Sequence, residues 1–111
     1  MAKFITIQST DTGYATATDP NGGPIQVPLD LIFDVKQTVA TTTIIYFNNT
    51  LGAGQKTLTL THTSTSGAGT VAVVANAIYA AINVAPGGVF LPVSMPVVGT
   101  TQIVVTNAVY A

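Results

Sequence analysis

The chain has no arginine, no glutamate and no cysteine. Its full charges are three lysines and four aspartates, 6% of 111 residues, where an ordinary soluble domain devotes about a quarter to charge. General acid–base, carboxylate and phosphate chemistry therefore has few groups to run on. Without cysteine there is no disulfide framework, no thiolate nucleophile and no thiol ligand for a metal, and the redox compartment is left open. With three lysines and no arginine there is no basic stripe to neutralise phosphates, which argues against nucleic acid and against an anionic membrane surface as partners. Long apolar runs are missing too. The best candidate, residues 71–85, contains Asn76 and Asn83 and falls short of the about 18 apolar residues of a membrane span. The start of the chain alternates apolar with polar residues, as a first strand does, and lacks the continuous apolar core of a signal peptide.

What is present leans toward β structure. The sequence holds nineteen threonines and 48% hydrophobic residues, and the shortage of charge lifts the mean hydropathy to +0.54. The length fits one domain over residues 1–111. A formal net charge of −1 gives almost no repulsion between copies, which favours association.

Phe4, Ile5 and Ile7 open a strand, with Tyr14 to Thr18 as its expected hairpin partner across a Ser/Thr/Asp/Gly turn. Asp19 to Pro24 is a strong turn. Leu29 to Val35 is a strand or a short turn leading into one, and Pro28 marks an edge or an entry position. Thr41 to Asn48 is rich in β-branched and aromatic residues and pairs with Lys56 to Thr63. In the latter segment Thr57, Thr59, Thr61 and Thr63 alternate with Leu58, Leu60 and His62, so the leucine face belongs to the core and the threonine face looks outward. Thr70 is a candidate N-cap for a helix over Val71 to Ala85, stopped by Pro86, Gly87 and Gly88. Its apolar stripe is Val71, Val74, Ala75, Ile78, Ile82 and Ala85. Val89 to Gly99 is extended and broken by Pro92 and Pro96, and Thr100 to Asn107 forms the last strand. The apolar end, Ala108 to Ala111, is expected to dock in a sheet or on another subunit.

Few residues qualify for chemistry. His62 titrates near neutrality in its free form, but its position on the leucine face fits a structural histidine. Asp30 and Asp34 share a face in either a helix or a strand; a solvated turn explains them better than a cation site, because hard cations draw six or more oxygens. Asp11 and Asp19 sit in ordinary turns. Gly67 to Thr70 lacks the lysine of a phosphate loop. The sequence therefore predicts no catalytic residue, no cofactor and no metal. The helix offers a different signal. Ala72, Val73, Asn76, Ala77, Tyr79, Ala80 and Asn83 cover the side opposite its stripe without one charge, where a solvated helix shows lysine and glutamate. The expected contact surface is thus Thr57, Thr59, Thr61, Ala72, Asn76, Tyr79, Asn83, Val109 and Tyr110.

In its opening Met1 to Ile7, the Gly/Pro turn before Ile25 and Val27, the Leu58 to Thr61 strand, the small-residue linker, the helix Val73 to Ile82 and the Pro86 to Gly88 stop, the chain resembles small virion structural proteins of tailed bacteriophages, particularly marine and cyanobacterial phages. It departs from them in lacking scattered lysine and glutamate. The resemblance implies a β-rich module with one helix and no catalytic residues, assembled in the host cytoplasm into the virion. There it would decorate or cement a capsid as a small oligomer bound to the major capsid protein or another virion protein. The expected fold is α+β: a mainly antiparallel sheet or small sandwich of about six strands, with a single helix near 71–85. A self-assembling extracellular filament subunit, growing by strand addition at sheet edges, and a tail structural protein are the alternatives.

Overall fold

A computed structural model describes residues 4–10, 23–48, 56–66, 72–83 and 90–111. Nine strands lie within these segments: β1 (Phe4–Ser9), β2 (Gly23–Pro28), β3 (Ile32–Val39), β4 (Thr42–Phe47), β5 (Thr57–His62), β6 (Phe90–Pro92), β7 (Val97–Val98), β8 (Thr101–Gln102) and β9 (Val105–Tyr110). One helix, α1 (Val73–Ile82), is found among the described residues, and a 3-10 turn spans Leu29–Leu31. The main sheet runs β2-β1-β9-β5-β4-β3, with β6 joined to β1, and β7 and β8 form a separate small hairpin. This is the mainly antiparallel, one-helix α+β architecture that the alternation patterns predict.

The pairing of β4 with β5 follows the sequence closely. Thr43 faces Leu60 and Ile45 faces Leu58 on one side, while Thr42, Ile44 and Tyr46 face Thr61, Thr59 and Thr57 on the other. Leu58, Leu60, Ile45 and Thr43 are fully buried, so the strand period of two separates core from surface as expected. β9 continues the same rows on the far side of β5, and β3 continues them beyond β4.

Two expectations shift. The described partner of β1 is β2, paired antiparallel from Phe4 and Pro28 to Ser9 and Gly23; Tyr14 to Thr18 lies outside the described residues. The last strand begins later than expected. Thr101 and Gln102 belong to the small hairpin, whose turn uses Gly99 at φ 64°, and β9 carries the chain to Tyr110. The apolar end is therefore docked in the sheet: Lys56 and Thr57 donate to the Ala111 carbonyl at 2.8 and 3.0 Å, and Ala111 N–H donates to Thr57 at 2.9 Å.

The core joins Ile5 and Ile7 of β1, Ile25 and Val27 of β2, and the inward residues of β4, β5 and β9 to Val74, Ala75, Ile78 and Ala81 of α1. α1 touches β3 near one edge of the sheet and β1 and β6 toward the other, so the sheet curls around the helix. Ile82, expected in the apolar stripe, is half-buried, and Ala81 takes a fully inward place. The first turn of α1 has no side-chain cap of its own; Thr70 lies outside the described residues, as do Val71, Ala85 and the Pro86 to Gly88 stop. A residue from β3 supplies the acceptor instead. Gln37 Oε1 accepts from Val74 N–H at 3.1 Å, and Gln37 Nε2 donates to Thr65 Oγ1 at 2.7 Å, satisfying one of the orphan donors of a helix start.

Among the described residues, the two outermost strands of the main sheet, β2 and β3, carry features that hinder strand addition. Val93 N–H donates to the Thr6 carbonyl at 3.0 Å, so Phe4, Thr6 and Gln8 turn their backbone groups toward β6 and β9. Their register partners Pro28, Gln26 and Pro24 turn theirs to the open edge of β2, where the two prolines have no N–H to offer. The edge strand β3 is interrupted by register shifts between Ile32 and Asp34 and between Gln37 and Val39. Between them, at Val35, a tyrosine of α1 occupies the open edge. Natural sheets use such devices to refuse strand addition.

Candidate interaction surface

The sheet has an inner face closed by α1 and an outer face that no other element among the described residues covers. Across the strands the outer face consists of three rows: Lys36, Ile44, Thr59 and Val109; Asp34, Tyr46 and Thr57; and Thr42, Thr61 and Asn107. Every one of these residues is half-buried or exposed. Over β4, β5 and β9 the rows contain hydroxyls, one amide and apolar side chains, with no charge. Asp34 and Lys36 stand at the β3 margin, where the Lys36 ammonium lies 3.8 Å from the Asp34 carboxylate. Strand spacing of about 4.8 Å and a same-face repeat of about 7 Å make this a flat, uncharged array of small groups.

Of the residues expected at a contact surface, Thr57, Thr59, Thr61 and Val109 meet on this face. Ile44 and Tyr46 join them, and the signal for both was the alternation of Thr42, Ile44 and Tyr46 in register with the threonine strand. The helical residues lie elsewhere. Asn76 and Asn83 are exposed on the side of α1 turned away from the sheet, whereas Ala72, just before α1, is half-buried against the core. The nominated positions thus form two separate surfaces. Tyr110 belongs to neither: it shares the Leu58 row, packs its ring 6.3 Å from that of Phe47 at a tilt of 38°, and burial pushes its hydroxyl above the ordinary tyrosine pKa.

Tyr79 combines partial exposure with a structural bond. Its hydroxyl donates to Asp34 Oδ1 at 2.7 Å and accepts from Val35 N–H at 2.9 Å, with the Val35 carbonyl 3.3 Å away. One phenol thereby closes the free edge of β3 and fastens the helix to it. The Tyr79 bond is the largest cause holding the Asp34 carboxyl below the ordinary aspartate range, helped by the Val35 N–H and by Lys36 and opposed by desolvation. The same bond, with burial, raises the Tyr79 pKa. A carboxyl with a lowered folded pKa contributes stability that is present above its unfolded pKa and lost as pH falls through the folded one. A phenol with a raised folded pKa contributes stability below its unfolded pKa that is lost as pH rises through the folded one. The clasp is therefore strongest between these two limits. Tyr79→Phe is expected to bring the Asp34 carboxyl back up toward the ordinary range in an NMR titration and to speed amide exchange at Val35. An unchanged Asp34 titration would show that the phenol does not hold the carboxylate.

His62 is buried on the core side of β5. Its Nδ1 donates to the Thr63 carbonyl at 2.9 Å, which leaves Nε2, 2.9 Å from Thr43 Oγ1, to accept the threonine hydroxyl. Both ring nitrogens are used structurally. Asp30 is exposed in the 3-10 turn and its backbone carbonyl accepts from Asn48 Nδ2 at 3.2 Å. Asp30 and Asp34 join no group of three metal-ligating side chains, and no such group occurs among the described residues. Asp11, Asp19 and Gly67 to Thr70 lie outside them.

No helix among the described residues is long and apolar enough to cross a membrane. Comparison with protein families, with curated proteins and with solved structures finds no match to this chain.

Proposed function

We propose that the protein is a non-enzymatic structural subunit of a phage particle, a capsid decoration or cement protein that strengthens the shell through repeated apolar contacts. The observation that carries this reading is the uncharged outer face of β4, β5 and β9. A sheet face meant for water is normally studded with lysine and glutamate, whereas this one presents Ile44, Tyr46, Val109 and a threonine ladder. Such a face suits dry packing against another β surface, with hydroxyls bonding across the join. At about 25 cal/mol per Å² of apolar area, a modest contact stabilises little by itself, but the repetition of symmetric contacts over a shell multiplies it. The prolines of β2 and the bulges and clasp of β3 weigh against the alternative of a filament grown by strand addition, because each hinders backbone pairing along its strand.

Low charge makes this binding tolerant of salt. Affinity for the particle, or self-association of the free protein, is expected to change little between about 0.1 M and 1 M salt, a range over which the Debye length shrinks from about 10 to 3 Å. A steep loss of binding over that range would replace the apolar account with an electrostatic one.

A further inference from the structure

β3 is the outermost described strand on one side of the main sheet, and Val35 turns its backbone outward from it. Its N–H and carbonyl lie 2.9 and 3.3 Å from the Tyr79 hydroxyl, while its side chain is buried opposite Ile45. Asp34 and Lys36, one on each side, point their side chains to the other face of the sheet. Of the four aspartates and three lysines in the chain, one of each stands here, in the order acid, valine, base; no other aspartate is followed two residues later by a lysine. The same strand carries Phe33, 74% exposed, more than any other large apolar side chain among those described. Ile32 pairs with Phe47 and Asp34 with Tyr46, so Phe33 is a bulge residue without a register partner, and bulges commonly re-aim a side chain in this way. Val39, at the other end of the strand, is 57% exposed.

An acid–valine–base triplet on an edge strand is its own complement when the second strand runs antiparallel. A twofold axis at Val35 sets Asp34 of each copy opposite Lys36 of the other, whereas an axis at Asp34 or at Lys36 sets like charges face to face, which destabilises a pair of strands. The backbone makes the same choice. Because Val35 faces the edge, two copies of it can exchange both N–H···O bonds, and the flanking charges then fall in non-hydrogen-bonded pairs, where side chains approach most closely. We infer that β3 pairs antiparallel with β3 of a second copy about a twofold axis at Val35, and that Tyr79 gates this contact by holding the Val35 backbone in the closed form. What selects a second copy is charge complementarity, since the one Asp-x-Lys triplet of the chain matches itself in the one register its backbone allows. Opening leaves no buried group unpaired: Tyr79 is 37% exposed, so its hydroxyl turns to water, and Asp34 exchanges a phenol for an ammonium. The register shifts on either side confine the pairing to the short stretch between them, and the prolines of β2 hinder the other edge. The product is a closed isologous dimer, not a growing fibre.

The test uses the free full chain and does not depend on the particle role. Tyr79→Phe removes the hydroxyl that occupies Val35, so dimerisation in sedimentation equilibrium should tighten about tenfold for each clasp removed, roughly a hundredfold for the pair. In that variant the Val35 amide should exchange fast in dilute solution and become protected as concentration rises, because the Val35 carbonyl of a second copy takes the place of the phenol. The register is read by a disulfide, which a chain without cysteine makes unambiguous. Asp34→Cys mixed with Lys36→Cys under mild oxidation should form a 34–36 link, while the remaining Lys36 and Asp34 still face each other. The Cα separation of about 4.5 Å in a non-hydrogen-bonded pair suits such a bond, and either variant alone should stay unlinked. This pair keeps Tyr79, so it decides the question even where Tyr79→Phe melts early. A Tyr79→Phe chain that is folded yet dimerises no more tightly than the wild type, Val35 exchange that ignores concentration, or a cysteine mixture that does not link would overturn the inference. The decoration role, which uses the outer face, would then still stand.

Discussion

Ile78→Ala is expected to destabilise the protein by about 2–5 kcal/mol, the cost of emptying a large aliphatic site in a packed interior. Ile78 is fully buried at the centre of a ten-residue helix. Isolated helices of that length are marginal in water, and α1 has no charged pair and no side-chain cap of its own to assist it. What holds it is contact with the sheet. Of its four buried residues, Val74, Ala75, Ile78 and Ala81, two are alanines with little area to give, so Ile78 and Val74 supply most of the apolar grip. At about 4 °C per kcal/mol for a domain of this size, the melting temperature should fall on the order of 10 °C, and amide exchange in α1 should rise before exchange in β4 and β5. Asn83→Ala, at an exposed site on the same helix, should stay within about 0.5 kcal/mol. A loss at Ile78 no larger than at Asn83 would mean that the helix is held by its polar ties to β3 instead.

Those polar ties mark the boundary of what the sequence could tell. The leucine and threonine alternation in β5 has a period that fits one structure, and β4 is close to it in sequence; both pairing and facing follow. The apolar stripe of α1 is legible for the same reason. Val74, Ala75 and Ile78 recur at helical spacing, and the fold has one place for such a face. Local signals are silent, however, about contacts made between distant segments. Tyr79 sits among residues that look solvent-facing, and nothing near it in sequence announces that its hydroxyl meets Asp34 and Val35, more than forty residues away. Gln37 likewise completes a helix start from a strand. Phe33 was hidden by the opposite effect: in Leu31, Ile32, Phe33 it reads as part of an apolar run, and a single bulge turns it out to solvent. The late start of β9 has a similar cause, since Thr101 and Gln102 have strand propensity that the short β7–β8 hairpin uses first. Facing was legible wherever one face is buried, because a slip of one residue would put Leu58 and Leu60 into water.

If the protein is the particle subunit proposed above, Thr59→Lys is expected to abolish its incorporation into the particle while leaving the fold intact. Thr59 lies mid-row on the outer face, between Ile44 and Val109, where a lysine in the free subunit can extend its ammonium into water. The cost to folding should stay within the span of about 1 kcal/mol seen for strand propensities. Against a neighbouring surface the same ammonium has no acid to meet on this face, because Asp34 stands at the β3 margin and is already engaged by Tyr79 and Lys36. An unpaired charge at a closed contact costs about 3–5 kcal/mol, a loss of roughly a hundredfold to a thousandfold or more in affinity. Lys36→Ala serves as the control for charge as such: it alters the margin and should change binding by much less. Quantifying each variant on purified particles, beside its thermal melt, distinguishes a lost contact from a lost fold. If Thr59→Lys coats the shell as the wild type does, the threonine face meets water and the contact must be sought on the outward side of α1, at Asn76 and Asn83.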